Sequence, residues 1–157
     1  DGPQEPPGYN MVHIGREKVF HNNFVVQVDG SWDRKSGKAG WGMTVSTNGI
    51  TGDEVATGQH GRAVSSDHAE AKACLLALTW ASNRQISQIR INTDSTALVS
   101  YLRMGKVSDI SIIGTIGDIK ALGSTFRQCT ILKVPRDEVH NAHMVANRCR
   151  IFGFSVF

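Results

Sequence analysis

Three acidic residues of this sequence could together bind a divalent cation if the fold brings them to one place. Asp29 and Asp94 each end a short apolar stretch, and Glu70 lies near the start of a helical pattern. Carboxylate oxygens are hard ligands that favour Mg²⁺ or Mn²⁺ over zinc. Two such ions about 4 Å apart can activate an attacking water and stabilise the leaving oxygen of an in-line displacement at phosphorus. These residue types therefore predict phosphodiester hydrolysis.

Each acid alone also has an ordinary structural explanation. An aspartate after a strand is a common turn former, and a glutamate in the first turn of a helix favours the helix dipole. The metal hypothesis depends on the three side chains meeting, because crowded carboxylates repel one another and a cation removes that repulsion. The fold must therefore carry Asp29, Glu70 and Asp94 to one place.

Three strands are predicted before the first long helix. The run NNFVVQVDGSW has a near-continuous apolar stretch from Phe24 to Val28, typical of a strand buried on both faces, which Asp29 ends. The segments WGMTVST and DEVATGQHGR predict two further strands, joined by a turn at Asn48-Gly49. Residues 11–21 have no clean period and predict an irregular or short extended lead-in.

Helices and strands alternate in the rest of the chain. From Ser65 the apolar spacing becomes helical, so that Ser66 is the predicted cap of a helix with Glu70 in its first turn. The segment QIRINTD predicts a strand ended by Asp94, and STALVSYLRMG predicts a helix ended by Gly105. The remaining predicted elements are a helix from Ser108 to about Gly123, a strand TILKVP stopped by Pro135, and a last helix capped by Asp137.

This order of elements predicts an α/β fold with a five-stranded mixed sheet flanked by helices. Three antiparallel strands form a meander, and parallel strands joined by crossover helices extend it. Active sites in such sheets gather at the carboxyl ends of strands. Because Asp29 and Asp94 each end a strand, we expect both carboxylates at one edge, and the helix that begins near Ser66 can aim Glu70 at the same edge.

Composition limits the class of protein. The chain has 157 residues, 40% of them hydrophobic, which suits one domain, and its net charge of +3 is too small to identify a partner. No apolar run reaches the ~18 residues of a membrane span, and no signal peptide begins the sequence. The cysteines lack metal-binding spacing and are interpreted as buried, reduced thiols of an intracellular protein, nuclear or cytoplasmic. They are Cys74, Cys129 and Cys149.

The first residues have the composition of a linker. Three of the four prolines precede residue 8, and the sequence starts on Asp. We therefore interpret residues 1–21 as a linker or lead-in segment and residues 22–157 as the domain, carried within a larger polypeptide.

Four motifs, taken in order, resemble ribonuclease H type 1. They are VDGSW with WGM following, SSDHAEAKACLLALTWA, INTDS and VPRDEVHNAHMVA, and the resemblance covers about residues 22–152. The chain is more narrowly similar to the plant retroelement-derived branch, in which the domain follows or descends from a reverse transcriptase. The resemblance implies a ribonuclease H-like fold, Mg²⁺ or Mn²⁺ bound by Asp29, Glu70 and Asp94, and hydrolysis of the RNA strand of RNA/DNA hybrids.

The resemblance also implies which residues lie near the substrate. The backbone around Gly30 and Ser31, with Ser66 at the helix start, would lie near RNA 2′-hydroxyls, which distinguish RNA from DNA. No basic protrusion between helices is visible in the sequence. Contacts with the backbone of the nucleic acid would therefore come from scattered basic residues, which could equally be solvated surface charges. These residues include Arg62, Lys72, Lys133 and Arg136.

The last motif departs from the family at its fourth acidic position. The family has a pattern like A-D-x-L-A there, whereas this chain has AHMVA, which places His143 at the fourth corner of the site. Neutral imidazole can ligate a metal or transfer a proton, but it adds no negative charge to hold Mg²⁺. The substitution predicts impaired hydrolysis in an intact fold.

Other aromatic and imidazole side chains are weaker candidates. His140 lies near the place of a histidine that assists product release in some members, and it can equally be an exposed helix residue. His68 lies two residues before Glu70 and could edge the site. Trp32 could stack on a base, whereas Trp41 and Trp80 fit core positions better.

Two hypotheses from different classes remain open. The first is a metal-dependent endonuclease that uses Asp29, Glu70, Asp94 and His143. The second is a domesticated module that keeps the fold, has lost efficient catalysis, and binds nucleic acid or a protein partner within a larger protein.

Overall fold

The computed structural model describes residues 10–18, 24–46, 54–104, 107 and 109–155. Within them the chain forms one six-stranded mixed sheet in the order β1-β6-β5-β2-β3-β4. The strands are β1 Met11–His13, β2 Val25–Trp32, β3 Lys38–Ser46, β4 Glu54–Arg62, β5 Gln88–Thr93 and β6 Gln128–Lys133. The helices are α1 Ser66–Asn83, α2 Thr96–Met104, α3 Ile110–Gly123 and α4 His140–Phe152, the last preceded by a 3₁₀ turn Arg136–Val139.

The pairing of the strands confirms the predicted α/β fold and its mixed sheet. Strands β2, β3 and β4 form the antiparallel meander, and β5 and β6 extend it in parallel from β2. The structure adds a sixth strand at the edge, because Met11–His13 pairs antiparallel with β6. Three residues are too few to show a period in sequence, and this strand is held by its backbone and by a 2.9 Å hydrogen bond between His13 and Thr130.

Helices α1 and α4 cover opposite faces of the meander. Successive side chains of a strand point to opposite faces. A Cβ added at Gly30 in β2 would meet Ala69 of α1, whereas one added at Gly40 in β3 would meet Ala146 of α4. In the register, Gly40 pairs with Ser31, the neighbour of Gly30, so the two glycines face opposite ways. The central strand is buried between the helices, with Val26 and Val28 fully covered.

Two predicted helix caps are wrong by small shifts. Ser65, not Ser66, caps α1, since the Ser65 hydroxyl accepts a hydrogen bond from the His68 amide at 3.1 Å. Asp137 lies in the 3₁₀ turn, and no side-chain hydrogen bond caps α4. At α1 the adjacent serines are equivalent candidates in sequence, whereas at α4 the 3₁₀ turn Arg136–Val139 takes up Asp137 and the helix begins after Val139. The predicted turn at Asn48-Gly49 and the residues Gly105 and Ser108 lie outside the described residues.

The three cysteines are free and buried, as predicted. Burial raises the pKa of the Cys129 thiol to about 12. Among the described helices, none combines the length and the apolar character that crossing a membrane would require.

Candidate metal centre

Asp29 lies where two neighbouring strands separate. The parallel pairing of β2 with β5 ends at Gln27 and Asn92, whereas the pairing of β2 with β3 continues past Asp29 to Trp32. The prediction that Asp29 ends its strand is therefore wrong, but the carboxylate does lie just beyond the last residue paired with β5. Strands that diverge in this way leave a crevice at their carboxyl ends. Asp29 sits in it with only 4% of its residue surface exposed.

Glu70 reaches the crevice from the second turn of α1, not from the first turn as predicted. The Gly30 amide donates a 2.5 Å hydrogen bond to Glu70 Oε1, which fixes the carboxylate beside Asp29. This contact requires close approach of α1 to β2, because a Cβ at Gly30 would lie 2.6 Å from the Ala69 carbonyl carbon. Gly30 is therefore a packing and positioning residue, and the space it leaves brings the helix to the strand.

Asp94 follows the last residue of β5 and meets a basic side chain. Arg136 Nε donates to Asp94 Oδ2 at 3.1 Å, and the Arg136 side chain is 88% exposed while that of Asp94 is 9% exposed. An ion pair with one partner so exposed to solvent contributes little to stability. Arg136 thus stands at the rim of the crevice, with most of its guanidinium facing outward.

The three carboxylates form one cluster. One oxygen atom from each of Asp29, Glu70 and Asp94 lies within 4.8 Å of the others. Burial raises the pKa of Glu70 well above its ordinary range, and the charges of Asp29 and Asp94 raise it further. Burial also raises the pKa of Asp29; the hydrogen bond with Glu70 opposes this, and the charge of Asp94 adds to it. Three hard oxygen donors whose repulsion a cation would relieve fit Mg²⁺ or Mn²⁺.

His143 contacts the cluster directly. Its Nδ1 lies 2.6 Å from Asp29 Oδ2, and its side chain is 43% exposed. Because a carboxylate accepts, Nδ1 carries the proton of this hydrogen bond. The predicted position of His143 at the fourth corner of the site is thus where the structure places it, on the face of α4 that covers β2.

A continuous line of hydrogen bonds extends from His143. Asn147 Nδ2 donates to His143 Nε2 at 3.1 Å, and the Ser31 hydroxyl donates to Asn147 Oδ1 at 2.5 Å. Arg150 Nε in turn donates to the Ser31 oxygen at 2.6 Å. The Asn147 side-chain amide is oriented so that each donor in this line points toward Asp29. His143 Nε2 therefore accepts a hydrogen bond, and the imidazole is held as its Nδ1–H tautomer.

Asn147 and Arg150 were not identified from the sequence, although a signal for them exists. Residues three and four apart share a helix face, so His143, Asn147 and Arg150 lie in one row. Alternation along β2 likewise places Ser31 on the same face as Asp29. The two periods place these residues on shared faces, but only the structure shows that the row on α4 meets these strand residues.

The other predicted site residues have separate places. Ser66 is exposed at the first residue of α1, one turn before Glu70. His68 Nδ1 accepts from the Val64 amide at 3.2 Å, which gives it a structural role at the helix start. His140 is exposed, one turn before His143. Trp32 donates its indole N–H to the Ala63 carbonyl at 2.8 Å.

The fold and the acidic cluster define a ribonuclease H-like domain. The chain matches the reverse transcriptase-like family over residues 27–149 and belongs to that family. No curated protein matches the sequence.

Solved structures share this fold. RNase H1 from the halophilic archaeon Halobacterium salinarum is 24% identical with a TM-score of 0.72, over 80% of this chain and 95% of that one. The N-terminal ribonuclease H domain of a Mycobacterium tuberculosis protein is 25% identical with a TM-score of 0.69, over 81% and 98%. LC11-RNase H1, isolated from compost and solved with an RNA/DNA hybrid, is 16% identical with a TM-score of 0.64, over 83% and 99%.

Divalent cations are expected to stabilise the fold by relieving repulsion in the cluster. At a free Mg²⁺ or Mn²⁺ concentration ten times the Kd, the free energy of unfolding rises by about 1.4 kcal/mol, or roughly 3–6 °C in Tm. Thermal melts at constant ionic strength measure the shift. Asp94→Asn should reduce the shift, and Asp118→Asn, an exposed carboxylate on α3, should keep it. A shift equal in wild type and Asp94→Asn would contradict the assignment of Asp94 as a ligand.

Proposed function

We propose that this domain is a metal-dependent endonuclease that hydrolyses the RNA strand of RNA/DNA hybrids. The observation that carries the proposal is the meeting of Asp29, Glu70 and Asp94, with oxygen atoms within 4.8 Å of one another in a crevice of a ribonuclease H-like fold. When bound, the divalent ions would supply an activated water and stabilise the leaving oxygen. The three carboxylates would hold the ions.

The other residues of the crevice would orient these ligands and the substrate. The Gly30 amide holds Glu70 in place, and the line of hydrogen bonds from Arg150 to His143 fixes the imidazole against Asp29. At the rim, the Arg136 guanidinium keeps N–H donors beyond the one it gives Asp94, which suits a phosphate oxygen of the substrate strand.

A hybrid substrate is supported by two observations. LC11-RNase H1, which has this fold, was solved in complex with an RNA/DNA hybrid. In this chain Gly30, Ser31 and Ser66 lie on the two elements that carry Asp29 and Glu70, so they are the residues we assign to contacts with RNA 2′-hydroxyls. Within the family, the motif resemblance favours the plant retroelement-derived branch, and the free, buried thiols favour an intracellular location.

A second function is favoured by the contact between His143 and Asp29. A neutral side chain 2.6 Å from one ligand replaces the charge that a fourth carboxylate would bring, which weakens Mg²⁺ binding. The alternative is therefore a catalytically impaired module that binds nucleic acid or a protein partner.

A cleavage assay separates the two functions. We expect the wild-type domain to cut the labelled RNA strand of a hybrid with Mg²⁺ or Mn²⁺, to leave the DNA strand intact, and to stop in EDTA. His143→Asp should increase the rate with Mg²⁺ by roughly 10- to 100-fold, because it adds a ligand charge. His140→Asp, one helical turn away and exposed, is the matched control and should change little. Binding of the hybrid without cutting in wild type and in His143→Asp would support the module and contradict the enzyme.

A further inference from the structure

A basic groove lies outside the acidic cluster, between the start of β3, the end of β4 and the end of α4. It has a volume of about 470 Å³, and its lining includes Lys38, His60, Arg62, Arg150 and Phe152. Three of these side chains carry a positive charge at neutral pH, and the described residues that line the groove include no acid. A cavity with this lining favours an anion.

The cations of the groove keep N–H donors for a ligand. Arg62 gives Nη1 to the Ser36 carbonyl at 2.6 Å, and Arg150 gives Nε to the Ser31 hydroxyl at 2.6 Å. A guanidinium has five N–H donors, so each retains others, and such forks bind phosphate through paired hydrogen bonds. In the described part of the chain, no carboxylate forms an ion pair with Lys38, Arg62 or Arg150.

The nearby turn between β2 and β3 carries one acid, and it is already engaged. Asp33 Oδ2 accepts hydrogen bonds from the Ser36 amide at 3.1 Å and from the Ser36 hydroxyl at 2.5 Å. These bonds are the main cause of its lowered pKa, and the charge of Arg150 contributes less. Asp33 forms no ion pair with a cation of the groove in the described part of the chain, so this one acid offsets only part of the charge of Lys38, Arg62 and Arg150.

The strand register gives the distance between the groove and the cluster. Asp29 pairs with Gly42 of β3, and Lys38, four residues earlier on β3, pairs with Arg62 of β4. Four residues at ~3.3 Å each span about 13 Å. Double-stranded DNA rises ~3.4 Å per base pair, and on that scale the span corresponds to about four base pairs. Arg150 joins the two places, because it contacts Ser31, two residues after Asp29.

We propose that this groove binds a backbone phosphate of the hybrid, about four base pairs from the position of cleavage. The identity of the ligand as a hybrid rests on the proposed function; the anion site rests on the groove itself. Phosphate contacts fix the register of a protein on a duplex without reading its sequence. Phe152, which is 73% exposed at the groove wall, offers an apolar surface to the adjoining sugar.

The test measures binding without hydrolysis. Anisotropy of a fluorescent 18-base-pair hybrid in EDTA gives the Kd and its salt dependence for wild type and for the Lys38→Gln, Arg62→Gln double variant. We expect a roughly tenfold weaker Kd at 0.1 M salt and a salt slope smaller by about one, for every hybrid sequence. Lys120→Gln on α3 removes one positive charge away from the groove and should match wild type. Because Lys38 and Arg62 are exposed, the double variant should have the same melting temperature as wild type.

A second measurement changes the ligand instead of the protein. A neutral methylphosphonate linkage, moved along each strand of the hybrid, should weaken wild-type binding about four base pairs from the cut and have no effect there on the double variant. Unchanged binding by the double variant would contradict the proposed phosphate site in the groove, even if wild type cleaves the hybrid. Weaker binding by the double variant would support the groove, even if wild type never cleaves, and only the proposed hydrolysis would then fail.

Discussion

Asp29→Asn is expected to lower hybrid hydrolysis by about a thousandfold, or about 4 kcal/mol of barrier, while the fold is kept. The amide has the shape of the carboxylate, and its oxygen can still accept the hydrogen bond from His143. The amide lacks the charge that binds a cation, and the cluster would keep only the carboxylates of Glu70 and Asp94. Initial rates on a labelled hybrid, with saturating Mn²⁺, measure the effect.

Without metal, Asp29→Asn should be at least as stable as wild type. Burial and the charge of Asp94 raise the pKa of Asp29, which means that the charged cluster costs the metal-free fold free energy. A neutral amide removes part of that repulsion, so the melting temperature in EDTA should equal or exceed that of wild type. Asp118→Asn on the surface of α3 should change neither rate nor melting. Hydrolysis by Asp29→Asn within tenfold of wild type would contradict the role of Asp29.

The acids could be predicted from sequence because each depends on a local signal. The apolar run before Asp29, the helical period around Glu70 and the short strand before Asp94 place each residue on an element. The rule that sites form at the carboxyl ends of strands then brings the three together. The detail that failed, a strand that continues three residues past Asp29, depends on β3, which pairs with those residues while β5 does not.

Asn147 and Arg150, which connect the site to the groove through Ser31, could not be found by the same local signals. They meet Ser31 only because α4 packs against β2 and β3, and the residues in contact lie 116 and 119 positions apart in the chain. The periodicity of a strand or a helix indicates which residues share a face, but not the element against which that face packs. Edge strand β1 has the same origin, because three residues become a strand only when β6 offers them free backbone groups.

The close packing of α4 against β3 predicts that Gly40→Ala is severely destabilising. A Cβ at Gly40 would lie 2.1 Å from the Ala146 carbonyl oxygen and 2.6 Å from the Arg150 amide nitrogen. Both are backbone atoms of α4, so no side-chain rotation can relieve the overlap and the helix must move. We expect the free energy of unfolding to fall by about 3 kcal/mol or more, a loss of roughly 6–12 °C in Tm.

Gly114→Ala provides the opposite result from the same chemical change. Gly114 lies inside α3, and a Cβ there meets nothing within 4 Å, so only helix propensity acts and the variant should gain up to about 1 kcal/mol. Urea unfolding of both variants compares them directly. Because α4 carries His143 and Asn147, Gly40→Ala should also loosen the hydrogen bonds that reach Asp29 and slow hydrolysis in the fraction that stays folded. Unfolding of Gly40→Ala and Gly114→Ala at the same urea concentration would contradict the close contact of α4 with β3. It would also contradict the position of His143, which depends on that contact.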